Sequence, residues 1–174
     1  FGMRVLAYDP FVRPSEAPKG IEMAPLDRLL AQSDFVSLHT PLTDETRALI
    51  GRAELKIMKP TAFIVNAARG PLIDDAVLVE ALRAGEIAGA GIDVTPTEPP
   101  SEDHPLLKMD NVVVSPHSAG TTWNTWFRRA EFAYRNMNGV WNGDCPLYTS
   151  DAADDMQRVD HGGRRIVQKT KYTQ

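Results

Sequence analysis

The sequence predicts an α/β fold built on a doubly wound parallel sheet. Short apolar runs alternate with stretches of helical spacing from Phe1 to Asp144, the pattern of strand–helix–strand units. The runs are mostly apolar from end to end, as strands covered on both faces require. Prolines and glycines fall between them, where they end one element and free the chain for the next.

Met3 to Tyr8 reads as a strand closed by Asp9-Pro10. Pro14, Pro18 and Gly20 mark a loop, and Ile21 to Met23 a further short strand. Leu26, Leu29 and Leu30 share one face of a helix in PLDRLLAQS. Phe35 to Leu38 is a strand that exits through His39-Thr40-Pro41. Arg52 to Met58 is a short helix stopped by Lys59-Pro60, because the residue before proline avoids the helical region. Ala62 to Asn66 is a strand, and Asp75 to Arg83 a helix ended by Gly85. Ala88 to Val94 is a strand of small residues, and Asn111 to Val114 the last strand. Thr121 to Trp141 is a long helix with capping side chains in Ser118 to Thr122. Trp123 and Trp126 at its start are expected to be packing residues.

The bulk properties narrow the function. The chain has 174 residues, enough for one domain with a core. A net charge of -4 favours neither nucleic acid nor an anionic membrane. No apolar run approaches the roughly 18 residues of a membrane span, and Phe1-Gly2 does not begin a secretory signal. The single Cys145 excludes an internal disulfide framework. The four histidines lack metal-site spacing. A cytosolic protein is expected.

Two segments are expected: 1–144, which carries the strand–helix alternation and which the resemblance given below makes a partial dinucleotide-binding domain, and 145–174, a disordered and non-native tail. The tail has charges and glycines but no apolar periodicity. Its LYTSDAADD and VDHGGRRIV resemble a sequencing-library adapter translated in frame, so it is set aside from fold reasoning.

Three residues carry the chemistry. Arg69 follows the strand in FIVNAARG, Glu98 lies five residues beyond Asp93 in GAGIDVTPTEP, and His117 follows the strand in NVVVSPHSAG. Open α/β sheets place ligands at the carboxyl ends of their strands. A fixed cation, a proton donor and a carboxylate to tune that donor suit reduction of a 2-keto acid. Each also has a plainer reading: Arg69 and Glu98 as solvated side chains, His117 as a cap for the following helix. His104 reads as a loop histidine, His39 as structural, and His161 falls in the tail.

The cofactor half is thinner. Asp9, at a strand end, is placed either to accept adenosine ribose hydroxyls or to form a turn. Thr40 suits a hydrogen bond to a nucleotide and Pro41 an adenine contact, or both simply leave the strand. The chain contains no G-x-G-x-x-G, and only eight residues precede Asp9, fewer than the about 20 that separate fingerprint and acidic residue.

Taken in order, NAARG, GAGIDV…E and SPH-x-AG resemble the D-isomer-specific 2-hydroxyacid dehydrogenases. The likeness runs from about Phe1 to Gly143 and covers the latter part of that family's NAD-binding domain. It implies a Rossmann-type sheet, incomplete, lacking the first strand and glycine loop. It also implies NAD as cofactor and a small 2-keto or 2-hydroxy acid as substrate. Arg69 would bind the substrate carboxylate bidentately, and His117 would protonate the ketone oxygen. Glu98 would hydrogen-bond His117 and keep its protonated form populated near neutrality. Asp93 would face the nicotinamide carboxamide, with Ala67, Ala68, His117, Ala119 and Gly120 lining that pocket. Asp9 favours NAD over NADP, although Arg13 leaves room for a 2'-phosphate. The resemblance further implies a homodimer in the intact parent, with the substrate domain outside this chain. Two alternatives remain: an NAD-binding corepressor-like module without turnover, and a fragment inactive by itself.

Overall fold

A computed structural model describes residues 2–143. Phe1 and 144–174, with Cys145, His161 and the expected 144/145 boundary, lie outside the described residues. The chain divides into two compact units, one running to Gly120 and the other beginning at Thr121.

In the first unit, β1 (Val5–Ala7) and β2 (Ile21–Met23) form a two-stranded parallel sheet, with Val5 opposite Ile21 and Ala7 opposite Met23. β3 (Phe35–Leu38), β4 (Phe63–Asn66), β5 (Gly89–Ile92) and β6 (Val112–Val114) form a four-stranded parallel sheet in that order. In register, Leu38 lies opposite Asn66, Asn66 opposite Ile92, and Ile92 opposite Val114. The strand ends therefore align along one edge. All the strands fall where the sequence puts them, some trimmed by a residue or two.

α1 (Leu26–Gln32), α2 (Arg52–Ile57) and α3 (Asp75–Ala84) pack in a row, α1 on α2 and α2 on α3. Their Leu30, Leu55, Leu78 and Leu82 bury against Val36, Leu38, Ile64, Ala90 and Ile92 of the sheet. The β5–β6 connection holds only a short 3-10 turn, Pro105–Lys108. Strand side chains alternate between faces, so Phe35, Phe63 and Val113 point the other way. They are 67%, 40% and 74% exposed, and the two phenylalanine rings stack at 5.5 Å.

α4 (Trp123–Trp141) belongs to the second unit and is capped by Thr122, whose side chain accepts the Thr125 N–H at 3.2 Å. No residue of α4 is buried. Trp123 and Trp126 are 84% and 58% exposed, which corrects their reading as packing residues. Helical spacing of apolar residues defines a face, not something lying on it.

Candidate active site

The site begins with Asn66, the buried last residue of β4. Its Nδ2 donates to the Arg69 carbonyl at 2.9 Å and its Oδ1 accepts the Ala68 N–H at 3.1 Å. One amide thus folds Ala67–Arg69 into a tight turn that carries Arg69 to the surface. Arg69 donates from Nη1 to the Ala68 carbonyl at 2.6 Å, and its guanidinium pairs with no carboxylate among the described residues. Gly70 follows because nothing larger fits: a Cβ there would sit 2.2 Å from the Thr95 carbonyl carbon. The arginine turn therefore abuts the loop that carries Glu98.

Asp93, directly after β5, is 7% exposed and heavily hydrogen-bonded. Its backbone N–H donates to the Asn66 carbonyl at 2.9 Å, and its carbonyl accepts the His117 N–H at 2.8 Å. Oδ1 accepts the Ser115 hydroxyl at 2.6 Å, the Ser118 N–H at 2.8 Å and the Ala119 N–H at 3.1 Å; Oδ2 accepts the Ala119 N–H at 3.1 Å. Burial pushes this carboxyl up. The Ser115, Ala119 and Ser118 hydrogen bonds and the nearby His117 charge together outweigh it and hold Asp93 below its usual 3.8. The result is a clamp on the 115–119 turn, where His117 adopts a left-handed φ of 50°.

Glu98 reaches that turn from its own loop. Oε1 accepts the Thr95 N–H at 3.2 Å and Oε2 meets His117 Nδ1 at 2.8 Å. The hydrogen bond from His117 holds the Glu98 carboxyl below its usual range, against a smaller opposing effect of burial and with help from Thr95. With Nδ1 committed to the carboxylate, the other ring nitrogen, Nε2, has no hydrogen-bond partner among the described residues. An imidazole so held gains or loses its proton at Nε2 while keeping Nδ1–H on Glu98.

The cofactor-side residues lie apart from this cluster. Asp9 accepts the Phe11 N–H at 2.8 Å through Oδ1, so its turn-forming role is real for that oxygen. Asp9, His39 and Thr40 line a cavity of about 870 Å³ between the ends of β1 and β3. Pro41 is exposed, with its carbonyl accepting the Thr46 hydroxyl at 2.7 Å. Arg13 is engaged by Glu16, its Nε lying 3.4 Å from Oε1. Ala119 and Gly120 follow the His117 turn and are exposed.

A model of the D-isomer specific 2-hydroxyacid dehydrogenase NAD binding domain matches residues 1–119. The chain belongs to this family. It is 48% identical over 147 residues to glyoxylate reductase of Korarchaeum cryptofilum, covering 84% of this chain and 44% of that protein. It is 50% identical over 121 residues to D-3-phosphoglycerate dehydrogenase of Archaeoglobus fulgidus, covering 69% and 23%. The chain thus spans less than half the length of these curated relatives. The NAD-complexed D-isomer specific 2-hydroxyacid dehydrogenase of Lactobacillus delbrueckii ssp. bulgaricus superimposes with a TM-score of 0.76. It shares 36% identity, covering 84% of this chain and 48% of that one. The parallel sheet is accordingly that of a Rossmann-like NAD-binding domain.

Small residues that suit the close approach of a dinucleotide follow two of the strands, Ala67–Ala68 after β4 and Ala119–Gly120 after β6. Sequence reasoning brought Arg69, Asp93, Glu98 and His117 forward but passed over Asn66, Gly70, Thr95 and Ser115. A signal existed for Asn66: a polar residue closing an apolar strand must find partners when buried. Thr95 and Ser115 act through contacts 3 and 22 residues away, and no local pattern shows the longer one. His104 is more than a loop histidine: its Nε2 lies 3.1 Å from Asp75, and its Nδ1 accepts the Leu106 N–H at 3.4 Å. His39 Nε2 sits 2.9 Å from the Ser37 hydroxyl. No cluster suited to a metal occurs among the described residues, and no helix there is long and apolar enough to cross a membrane.

Proposed function

We propose that the full-length protein is an NAD-dependent oxidoreductase that interconverts a small 2-keto acid and its D-2-hydroxy acid. One observation carries the reading: His117 is held by Glu98 through Nδ1 at 2.8 Å, leaving Nε2 without a partner among the described residues, and the turn that presents Arg69 abuts the loop that carries Glu98. NAD, when bound, supplies or takes up the hydride. Arg69 binds the substrate carboxylate through its planar fork and fixes the carbonyl against His117. Protonated His117 gives its Nε2 proton to the ketone oxygen and takes it back in the oxidative direction. Glu98 stabilises the imidazolium and locks the ring orientation.

On the cofactor side, Asp9 keeps Oδ2 for ribose hydroxyls, with Thr40 and Pro41 along the nucleotide. Asp93 Oδ2 faces the carboxamide, and Ala67, Ala68, Ala119 and Gly120 line the nicotinamide pocket. The Arg13–Glu16 pair neutralises the cation best placed to read a 2'-phosphate, which supports NAD over NADP. The relatives' names, glyoxylate reductase and D-3-phosphoglycerate dehydrogenase, support small 2-keto acids as substrates. The same reading makes the full-length protein a cytosolic homodimer.

The test is NADH oxidation by the full-length protein with a panel of 2-keto acids. His117→Ala should cost about 10²–10⁴ in kcat and remove the pH limb of the imidazole. Arg69→Ala should raise KM steeply and lower kcat, because the substrate loses both its anchor and its alignment. Full activity of Arg69→Ala, or an unchanged pH profile of His117→Ala, overturns the assignment. NADH binding without turnover on any 2-keto acid would instead mark a regulatory module.

A further inference from the structure

Glu98 rides on an exposed excursion of chain. Between β5 and β6 the connection holds only the 3-10 turn Pro105–Lys108, and Pro96 to Pro99 and Ser101 to Asp103 are exposed. Among the described residues, no hydrogen bond ties 96–103 to anything outside this connection except that between Glu98 and His117. The excursion is fastened instead at its two ends. At the first, Thr95 and Pro96 lie against Gly70, where a Cβ would meet the Thr95 carbonyl carbon at 2.2 Å and the Pro96 nitrogen at 2.5 Å. At the second, His104 Nε2 lies 3.1 Å from Asp75 Oδ2 in the first turn of α3. His104 Nδ1 accepts the Leu106 N–H at 3.4 Å, so the ring proton sits on Nε2 and is donated to Asp75. The two side chains are 18% and 30% exposed, the most enclosed pairing of a basic with an acidic side chain among the described residues.

We propose that the hydrogen bond from His104 to Asp75 is a latch that positions Glu98 against His117. Both fastenings are made by one stretch of chain, Gly70 to Asp75, which begins directly after Arg69. The segment that follows the arginine therefore also sets the two ends of the span that carries the carboxylate. With both ends set, bringing the Glu98 carboxylate to Nδ1 of His117 orders little further chain, and the ordering cost is small. Leu106, 2% exposed just beyond the latch, still holds the connection to the core when the latch is lost. The span then shifts rather than unravels, and Glu98 moves away from the imidazole. His104 reaches no reacting atom and acts only through Glu98, as a positioning residue. Its effect on turnover rests on the reading of His117 as the proton donor; its effect on the His117 ring rests on geometry alone.

Near-isosteric variants of the full-length protein separate the latch from plain packing. Asparagine at 104 places an oxygen where Nδ1 sits, keeping the Leu106 contact without reaching Asp75. Glutamine places an amide nitrogen where Nε2 sits, keeping the Asp75 contact without the cap. His104→Asn and Asp75→Ala should each lower kcat on 2-keto acids by about 10–100-fold, as a misplaced group does. KM, which follows Arg69, should change little, and His104→Gln should restore most of the rate. The double variant His104→Asn with Asp75→Ala should lose no more than either alone, because both remove one bond. The 15N shifts of the His117 ring read the Glu98 contact without turnover. They should move in His104→Asn and Asp75→Ala and return in His104→Gln. Parental ring shifts in His104→Asn overturn the latch. Parental behaviour of His104→Asn beside a defective His104→Gln also overturns it, and assigns the role to the Leu106 cap. Ring shifts that move as expected in a protein that turns over no 2-keto acid leave the latch standing and refute the dehydrogenase reading instead.

Discussion

Replacing Asp93 with asparagine keeps one carbonyl acceptor but removes the charge shared by Ser115, Ser118 and Ala119. Hydrogen bonds to a buried charge are each worth about 1.5–3 kcal/mol, and asparagine retains part of them. A loss of about 1–3 kcal/mol at pH 7 is therefore expected for Asp93→Asn. The pH dependence gives a sharper check. The folded-state carboxyl titrates below its usual 3.8, so its contribution is complete above that value and disappears as pH falls through the lower, folded value. Urea unfolding at pH 7 should separate parent and variant clearly, and at pH 3 the gap should shrink. A gap that stays constant would show that the charge does not matter. The same comparison explains what could be read from sequence. Arg69, Glu98 and His117 announce themselves by charge and by position after strands. The partners that aim them, buried Asn66 and half-buried Ser115, are ordinary polar residues whose importance comes only from lying beside an unsaturated turn.

Elements were legible where their ends carry chemistry. α3 begins after Asp74, whose carboxylate accepts the Val77 N–H at 3.2 Å, and ends at Gly85 with a φ of 69°. Asp74→Ala should destabilise the domain by about 1 kcal/mol, read as a lower urea midpoint with unchanged slope; an unchanged midpoint would show the cap to be idle. The turn after β4 is stricter. A Cβ at Gly70 would meet the Thr95 carbonyl oxygen at 2.3 Å and the Pro96 nitrogen at 2.5 Å, backbone atoms that cannot rotate away. Gly70→Ala should therefore cost about 3 kcal/mol, the upper end for overpacking, and should displace Glu98 from His117. The 15N chemical shifts of the His117 ring report that pairing, and shifts identical to the parent's would refute the coupling. The short 3-10 turns at Pro14–Glu16, Gly70–Leu72 and Pro105–Lys108 escaped the sequence reading. Each is a single turn, too brief to establish an apolar period.

At the scale of the whole molecule, stability should be unequal across the first unit. The four-stranded sheet backs onto a closed core in which Leu30, Leu55, Ile64 and Leu78 are at most 1% exposed. The β1–β2 pair has only two strands, Val5 is 44% exposed, and Glu22 holds it to α1 through Arg28 and to the chain before β1 through Arg4 at 2.7 Å. Exposed ion pairs of this kind contribute little, and an isolated two-stranded sheet is marginal in water. Amides of β4 and β5 should therefore exchange only through global unfolding, and amides of β1 and β2 through local opening at a lower free energy. Leu78→Ala, which opens a cavity in the core, should lower global stability by about 2–5 kcal/mol and so accelerate β4 and β5. Its effect on β1 and β2 should be small, because their opening does not pass through that core. Native-state hydrogen exchange of the parent and of Leu78→Ala separates the possibilities. If β1 is as protected as β5 in the parent and falls with it in the variant, the two sheets open as one cooperative body and their unequal stability is refuted.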